Sequence, residues 1–308
     1  MTAVIEARNL SKWYGNVLGL SDVTLSIEPG IIGLLGPNGA GKSTFLKLIT
    51  GQLKPSIGSA AVFGRRTWNN PEIYSRIGFC PEPDAFFEDL TGWEFLTNLL
   101  RLNGFATGEA ERRAEKALEI VELVKDKDRL IRAYSRGMRQ RLKFSQAIAH
   151  DPEVIILDEP MSGLDPLGKR KLLRLIRDYR GEGRTIIVSS HVLPEIEALT
   201  KNIILIHQGK ILATGDIHQV RELIERHPHV ISLRSSDPRR LAGRLIRSDF
   251  ILDLRFESGP DTLLIETRQR DKFFNLLPDI VQEENIEITE ITSADDNLQA
   301  VFDYLVGK

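Results

Sequence analysis

The chain has 308 residues, a length that suits about two domains. Its 41 Lys and Arg against 43 Asp and Glu leave a formal net charge of -2, which excludes a global basic field that would draw in nucleic acid or an anionic membrane. The lone cysteine, Cys80, excludes an internal disulfide and fits a reducing compartment; no apolar run approaches the ~18 residues of a spanning helix, and "MTAVIEARNL" at the start lacks the apolar stretch of a signal peptide.

The first strong element is "IIGLLG" (31–36), a short apolar run that reads as a fully buried strand. It runs into "GPNGAGKST", Gly36 to Thr44, and then into the apolar-periodic "TFLKLIT". Strand, glycine-rich loop and helix are the context that the G-x-x-x-x-G-K-[ST] pattern requires. The backbone from Gly36 through Pro37, Asn38, Gly39, Ala40 and Gly41 turns tightly enough to face its N–H groups toward phosphate oxygens, and Thr44 closes the motif. Lys42 is expected to reach the β- and γ-phosphates and the Ser43 hydroxyl to bind Mg²⁺.

Further on, "DAFFEDLTGWEFLTNLL" (84–100) reads as helical core or as a groove for a partner helix, with Phe86, Phe87 and Trp93 facing the partner. Amphipathic patterns at 109–124 and 136–149 read as helices. At the start of the second, "YSRGMRQRL" (134–142) gathers Ser135, Arg136, Gly137 and Met138 with Arg139, Arg141 and Lys143. Those residues alone allow a nucleic-acid contact, a capped helix or a phosphate site, and the net charge argues against the first. Met138, Leu142 and Ile148 give this helix an apolar face, with Arg139 and Lys143 on a polar one.

"VIILDEP" (154–160) is a strand ending in Asp158 and Glu159 at the carboxyl edge of the sheet, where α/β folds bind ligands. Asp158 suits Mg²⁺, and Glu159 suits a water-polarising base. "TIIVSSH" (185–191) brings His191 to the same edge, where a neutral imidazole donor can hydrogen-bond a γ-phosphate and orient the attacking water. "NIILIHQGKILATG" (202–215) reads as a hairpin turning at Gln208-Gly209. From 229 the order is β-α-β-β-α-β, a ferredoxin-like pattern closed by a last helix at 295–306. His227 and His229 lack a third ligand at metal spacing and read as a loop or strand start.

Taken in order, the phosphate loop, "YSRGM", "VIILDEP", "SGLDP" (162–166) and "SSH" (189–191) resemble the ATP-binding subunit of an ABC transporter over about 1–220. The resemblance implies an α/β fold. A P-loop ABC ATPase domain at 1–222 would combine a RecA-like core, an antiparallel β subdomain and a helical signature subdomain at about 88–150, with a C-terminal α+β ferredoxin-like accessory or regulatory module at 229–308. It implies ATP and Mg²⁺ sandwiched between head-to-tail subunits, with the Ser135–Met138 segment acting in trans on ATP held by the other phosphate loop. Tyr14 in "KWYGN" matches the aromatic that stacks on adenine, with Trp13 a competing candidate, and Ser162 to Asp165 match the loop that meets the opposing subunit.

The implied partners are integral membrane permease subunits and a second copy of the chain or a homologous ATPase subunit, with no nucleic acid. The implied location is cytoplasmic, on the inner face of the membrane, and the activity is ATP hydrolysis coupled to transport, most in keeping with an exporter. The chain departs from the family pattern in two places. Glu82 stands where glutamine usually senses Mg²⁺ and the attacking water, and Arg136 and Met138 stand in the usual Leu-Ser-Gly-Gly-Gln signature. Arg136 then either adds a cation to the phosphate site or points into solvent. The alternative, a soluble mechanochemical ATPase working on ribosomes or DNA, usually carries two cassettes or a long coiled coil, and neither pattern occurs here. A kinase or GTPase lacks "YSRGM", and no N-K-x-D motif is present.

Overall fold

The computed structural model describes residues 3–181, 183–216, 229–256 and 261–293. By internal contacts the chain divides into two compact units, Met1–Asp216 and Ile217–Lys308. The expected helix at 295–306, His227 and the expected domain end at 222 lie outside the described residues.

The first unit opens with β1 (Ile5–Tyr14), β2 (Val17–Ile27) and β3 (Ile31–Leu35), followed by helix α1 (Lys42–Ile49), β4 (Ile57–Val62) and the short β5 (Arg65–Arg66). Four of these strands make an antiparallel sheet ordered β2-β1-β4-β5. β3 enters a second sheet with β6 (Ile77–Cys80), β7 (Val154–Leu157), β8 (Thr185–Ser190), β9 (Asn202–His207) and β10 (Lys210–Asp216), ordered β10-β9-β3-β8-β7-β6. All of its pairings are parallel except β9 with β10. β3, β7 and β8 are buried at every position, as strands covered on both faces must be.

Between β6 and β7 the chain forms α2 (Gly92–Leu102), α3 (Thr107–Ile120) and α4 (Arg136–Ile148); α5 (Pro166–Arg180) precedes β8 and α6 (Leu193–Glu197) follows it. α2 starts in a capping box, with Thr91 Oγ1 accepting from Glu94 N (3.1 Å) and Glu94 Oε2 accepting from Thr91 N (2.9 Å). The helix expected over 109–124 ends at Ile120, because Glu122 takes a left-handed φ of 55° that no helix continues. The β9–β10 turn falls at Gln208-Gly209, where φ of 46° and 75° matches the right-handed twist of a hairpin. Its tip also pins the phosphate loop: Gly209 N donates to Ala40 O (2.8 Å), and Ser21 N donates to Gly209 O (2.8 Å).

The core beneath α1 gathers Phe45, Leu46, Leu48 and Ile49 against Ile5, Leu34, Val154 and Ile187. Burying each such side chain is worth about 1.5–3 kcal/mol, so the loop preceding α1 is anchored at both ends. Cys80, the last residue of β6, is fully buried, and burial pushes its thiol up to about 12.

The second unit runs β11 (His229–Ser235), α7 (Pro238–Leu245), β12 (Ile251–Phe256), β13 (Thr262–Thr267), α8 (Arg270–Glu284) and β14 (Ile288–Ser293). Its sheet is antiparallel and ordered β12-β13-β11-β14, the ferredoxin-like arrangement. Ile231, Leu233, Leu263 and Ile265 meet Leu241, Leu245, Phe273 and Leu277 of the helices in its core.

Candidate active site

β3 delivers the chain to Gly36, whose N–H donates to Ser190 O (3.3 Å). A Cβ here would lie 2.4 Å from Ile206 O, so glycine is required by space. At Gly41 the requirement is doubled, since φ is 104° and a Cβ would meet Gly19 O at 2.8 Å. Gly41 is also the N-cap of α1 and offers no side chain to the first-turn N–H groups. Those donors are left for an anion. Lys42, only 6% exposed, folds back over the loop, its Nζ donating to Gly36 O (2.6 Å) and Pro37 O (3.1 Å).

β7 ends at Leu157, so Asp158 and Glu159 stand just beyond the strand. Glu159 has a left-handed φ of 46°, strain of the kind found at functional sites. One hydroxyl holds both acids: Ser189 Oγ accepts from Glu159 N (2.8 Å) and donates to Asp158 Oδ1 (2.7 Å). The Glu159 carboxylate, itself buried, divides between two partners. Oε1 lies 2.9 Å from Lys42 Nζ, an ion pair without hydrogen-bond alignment, and Oε2 accepts from His191 Nδ1 at 3.0 Å. That second bond requires the proton on Nδ1, so Nε2 of a neutral His191 is an acceptor. The phosphate-loop lysine, the acid after β7 and the histidine after β8 are thus brought into direct contact.

Tyr14 and Trp13 are both half-exposed but point differently, as neighbours on a strand must. Tyr14 lies against Gly19 and its hydroxyl is 3.3 Å from Thr44 Oγ1 in α1, whereas the Trp13 backbone N–H donates to Ser56 Oγ. Tyr14 is therefore the aromatic beside the phosphate loop. Glu82 is exposed and lines a cleft of about 780 Å³ with Lys47, Arg136, Glu159 and Ser162. Ser43 and Asp158 offer hard oxygen donors, a set that fits Mg²⁺.

The basic residues of α4 are committed within the chain. Lys143 is not on a solvated face: it is 3% exposed, its Nζ donates to Pro81 O (3.1 Å) and Glu82 O (2.7 Å), and it pairs with Asp84 Oδ1 (3.0 Å). Arg139 pairs with Glu88 (2.6 Å), and Arg141 donates to Val121 O (2.7 Å). Arg136 is exposed, and it also makes a contact within its own chain. Its guanidinium lies over Gly163, with Nη2 3.3 Å from Ser162 O, because a glycine at φ 67° leaves that surface bare. Leu142 and Ile148 are buried as the apolar face requires, with Met138 partly so.

Ser135 caps α4, accepting from Met138 N (3.3 Å), and a Cβ on Gly137 would meet nothing within 4 Å, so this helix start is open. Asp165 caps α5 through Gly168 N (2.9 Å). Phe87 is 69% exposed, but Phe86 packs edge-on against Phe95 and Trp93 sits beneath Lys127. Ser189, which holds both acids, was missed by motif reading; the available signal was a hydroxyl near the end of a buried strand beside them.

A family model described as ABC transporter matches residues 20–162. The chain is similar along 100% of its length to the bacitracin transport ATP-binding protein BcrA of Enterococcus faecalis, 35% identical over 314 residues and 97% of that protein. It is 29% identical to the daunorubicin/doxorubicin resistance ATP-binding protein DrrA of Streptomyces peucetius, covering 99% of this chain and 93% of that one. A solved structure described as the ATP-binding subunit of an ABC transporter matches 72% of this chain and 93% of its own, with a TM-score of 0.64 and 31% identity.

Proposed function

The chain belongs to the ABC transporter family as an ATP-binding and ATP-hydrolysing subunit, and from that premise we propose how its residues divide the work. The observation that carries the reading is the contact of Glu159 with both Lys42 and His191 at the mouth of the phosphate loop. Lys42 pairs with Glu159 Oε1, and its ammonium also donates to the loop carbonyls of Gly36 and Pro37. When triphosphate fills the loop, Lys42 turns to the β- and γ-phosphates and Glu159 Oε1 is released to take a proton from water. Water attacks the γ-phosphorus, the bond to the bridging oxygen breaks, and ADP and phosphate leave.

His191 fixes the Glu159 carboxylate through Nδ1. For it to donate to the γ-phosphate as well, its Nε2 must carry a second proton, or Glu159 must release Nδ1. Ser43 and Asp158, with Glu82 as a further candidate, would hold Mg²⁺, whose charge offsets that on the phosphates. Tyr14 stacks on the adenine. Ser135 and the N–H groups around Gly137 complete the site of a second subunit, using the open start of α4 as an anion site.

The direction of transport follows the relatives, named for bacitracin transport, daunorubicin/doxorubicin resistance and, in Bacillus subtilis, linearmycin resistance. An exporter of such compounds, its permease a separate chain, fits this subunit. No helix among the described residues is long and apolar enough to cross a membrane, so the permease would hold it at the inner face. The unit of β11–β14 is proposed as a regulatory module.

Purified chain is expected to hydrolyse MgATP and Glu159→Gln to retain ATP while losing about 10²–10⁴-fold in rate. Co-purification with a membrane protein supports the transport role; sedimentation with ribosomes would replace it with the mechanochemical one.

A further inference from the structure

Glu195 is a buried carboxylate, 9% exposed, to which the scheme above gives no task. Its Oε2 accepts from Ser190 Oγ at 2.7 Å, and its Oε1 pairs with Lys169 Nζ at 2.7 Å. Ser190, the last residue of β8, is held three further ways by the chain around it. Its hydroxyl accepts from Val192 N (3.0 Å), its carbonyl accepts from Gly36 N (3.3 Å), and its strand pairing lies opposite Leu35. The next residue is His191, whose ring is 44% exposed and touches Glu159. At the other end, Lys169 lies in the first turn of α5, and its N–H donates to Asp165 O (2.9 Å).

A charged carboxylate taken out of water costs free energy unless it is fully partnered, and a serine alone would satisfy a neutral residue equally well. The pairing with Lys169 is what ties Glu195 to the loop 162–165. We infer that Glu195 is a positioning residue for hydrolysis: through Ser190 it sets the orientation in which His191 meets Glu159, and through Lys169 it makes that orientation depend on the loop 162–165. The inference rests on the reading of Glu159 and His191 as the hydrolytic pair. Its consequence is a line of contacts within one chain, from Asp165 through Lys169, Glu195 and Ser190 to His191. A second subunit docking at that loop would then alter the histidine without touching it.

The test uses the full chain carrying Lys169→Met, Lys169→Arg or Glu195→Ala. The ring nitrogen resonances of His191 are followed by NMR, assigned with His191→Gln, and steady-state MgATP hydrolysis is measured in parallel. Lys169→Met and Glu195→Ala should shift the His191 Nδ1 resonance and lower kcat by about tenfold or more with KM within about twofold of wild type, and Lys169→Arg should restore both. Lys169 is partly exposed, so Lys169→Met reports even if Glu195→Ala does not fold. An unmoved His191 resonance in Lys169→Met overturns the inference, and so does a shifted resonance with unchanged kcat. If wild-type chain neither binds nor hydrolyses ATP, the active-site reading fails, while the resonance still tells whether the contact line from Lys169 reaches His191.

Discussion

The guanidinium of Arg136 lies across Gly163 of its own chain, so close that a Cβ on Gly163 would come within 1.7 Å of Nη2. Two segments expected to meet a second subunit, the start of α4 and the loop 162–165, are therefore fastened to each other first. In a Glu159→Gln background, Arg136→Gly should leave ATP-driven dimerisation within about threefold, since the side chain donates to Ser162 O of its own chain. A charge-assisted hydrogen bond to phosphate is worth about 1.5–3 kcal/mol, so a loss beyond tenfold in sedimentation velocity experiments would identify Arg136 as a phosphate ligand.

Lys42 and Glu159 form a buried pair, each side chain 6% exposed. Lys42→Met should abolish nucleotide binding and destabilise the nucleotide-free protein by about 3 kcal/mol, because the buried Glu159 carboxylate loses the cation that faces it. Adding Glu159→Gln should recover most of that loss. Urea unfolding of the single and double variants gives the coupling directly, and additive effects would mean the pair is not formed in solution.

Glu82→Gln should retain ATP binding and change both the hydrolysis rate and its dependence on Mg²⁺ concentration. Glutamine removes a negative charge from the cleft shared with Glu159 while keeping an oxygen ligand. Identical Mg²⁺ titrations for the two proteins would exclude a metal role for Glu82.

Tyr14→Ala should weaken ATP binding by about 1–3 kcal/mol, the worth of one base stacked on an aromatic ring, and Tyr14→Trp should retain it. Trp13→Ala should bind as wild type, because its backbone bond to Ser56 survives the change. Fluorescent-nucleotide titration separates the two residues.

His150 donates from Nε2 to Ile77 O (3.1 Å), and its burial lowers its pKa below the usual 6.5. The unfolded chain therefore takes up a proton at higher pH than the folded one. The stabilising contribution is fully present above pH 6.5 and is lost as pH falls through the depressed folded value. Thermal unfolding from pH 7.5 to 5 should show a falling midpoint in wild type and a shallower fall in His150→Gln; equal slopes would remove His150 as the cause.

Features built from neighbours in the chain were legible in the sequence. Gly36 to Thr44 carries its own turn and helix start, Gln208-Gly209 carries its own hairpin, and the apolar runs of β3, β7 and β8 announce strands covered on both faces. Asp158, Glu159 and His191 were legible because parallel strands must end at one edge. The α4 cations were not. Lys143 looks solvated in a helical projection, yet its partners lie 61 and 62 positions back at Glu82 and Pro81, and Arg136 rests on a glycine whose exposed face exists only at its folded φ. Ser189 and Glu195 were hidden for the same reason: hydroxyls and carboxylates acquire tasks from neighbours that only folding supplies.

The lone cysteine offers an experimental route into all of this. Cys80 is fully enclosed at the end of β6, and with its thiol pushed up to about 12 it presents almost no thiolate at neutral pH. Maleimide and spin-label reagents should pass it by in the native protein. A cysteine introduced at exposed Phe87 would then be the sole reporter on the chain, free to follow nucleotide binding or permease docking without prior removal of a native thiol.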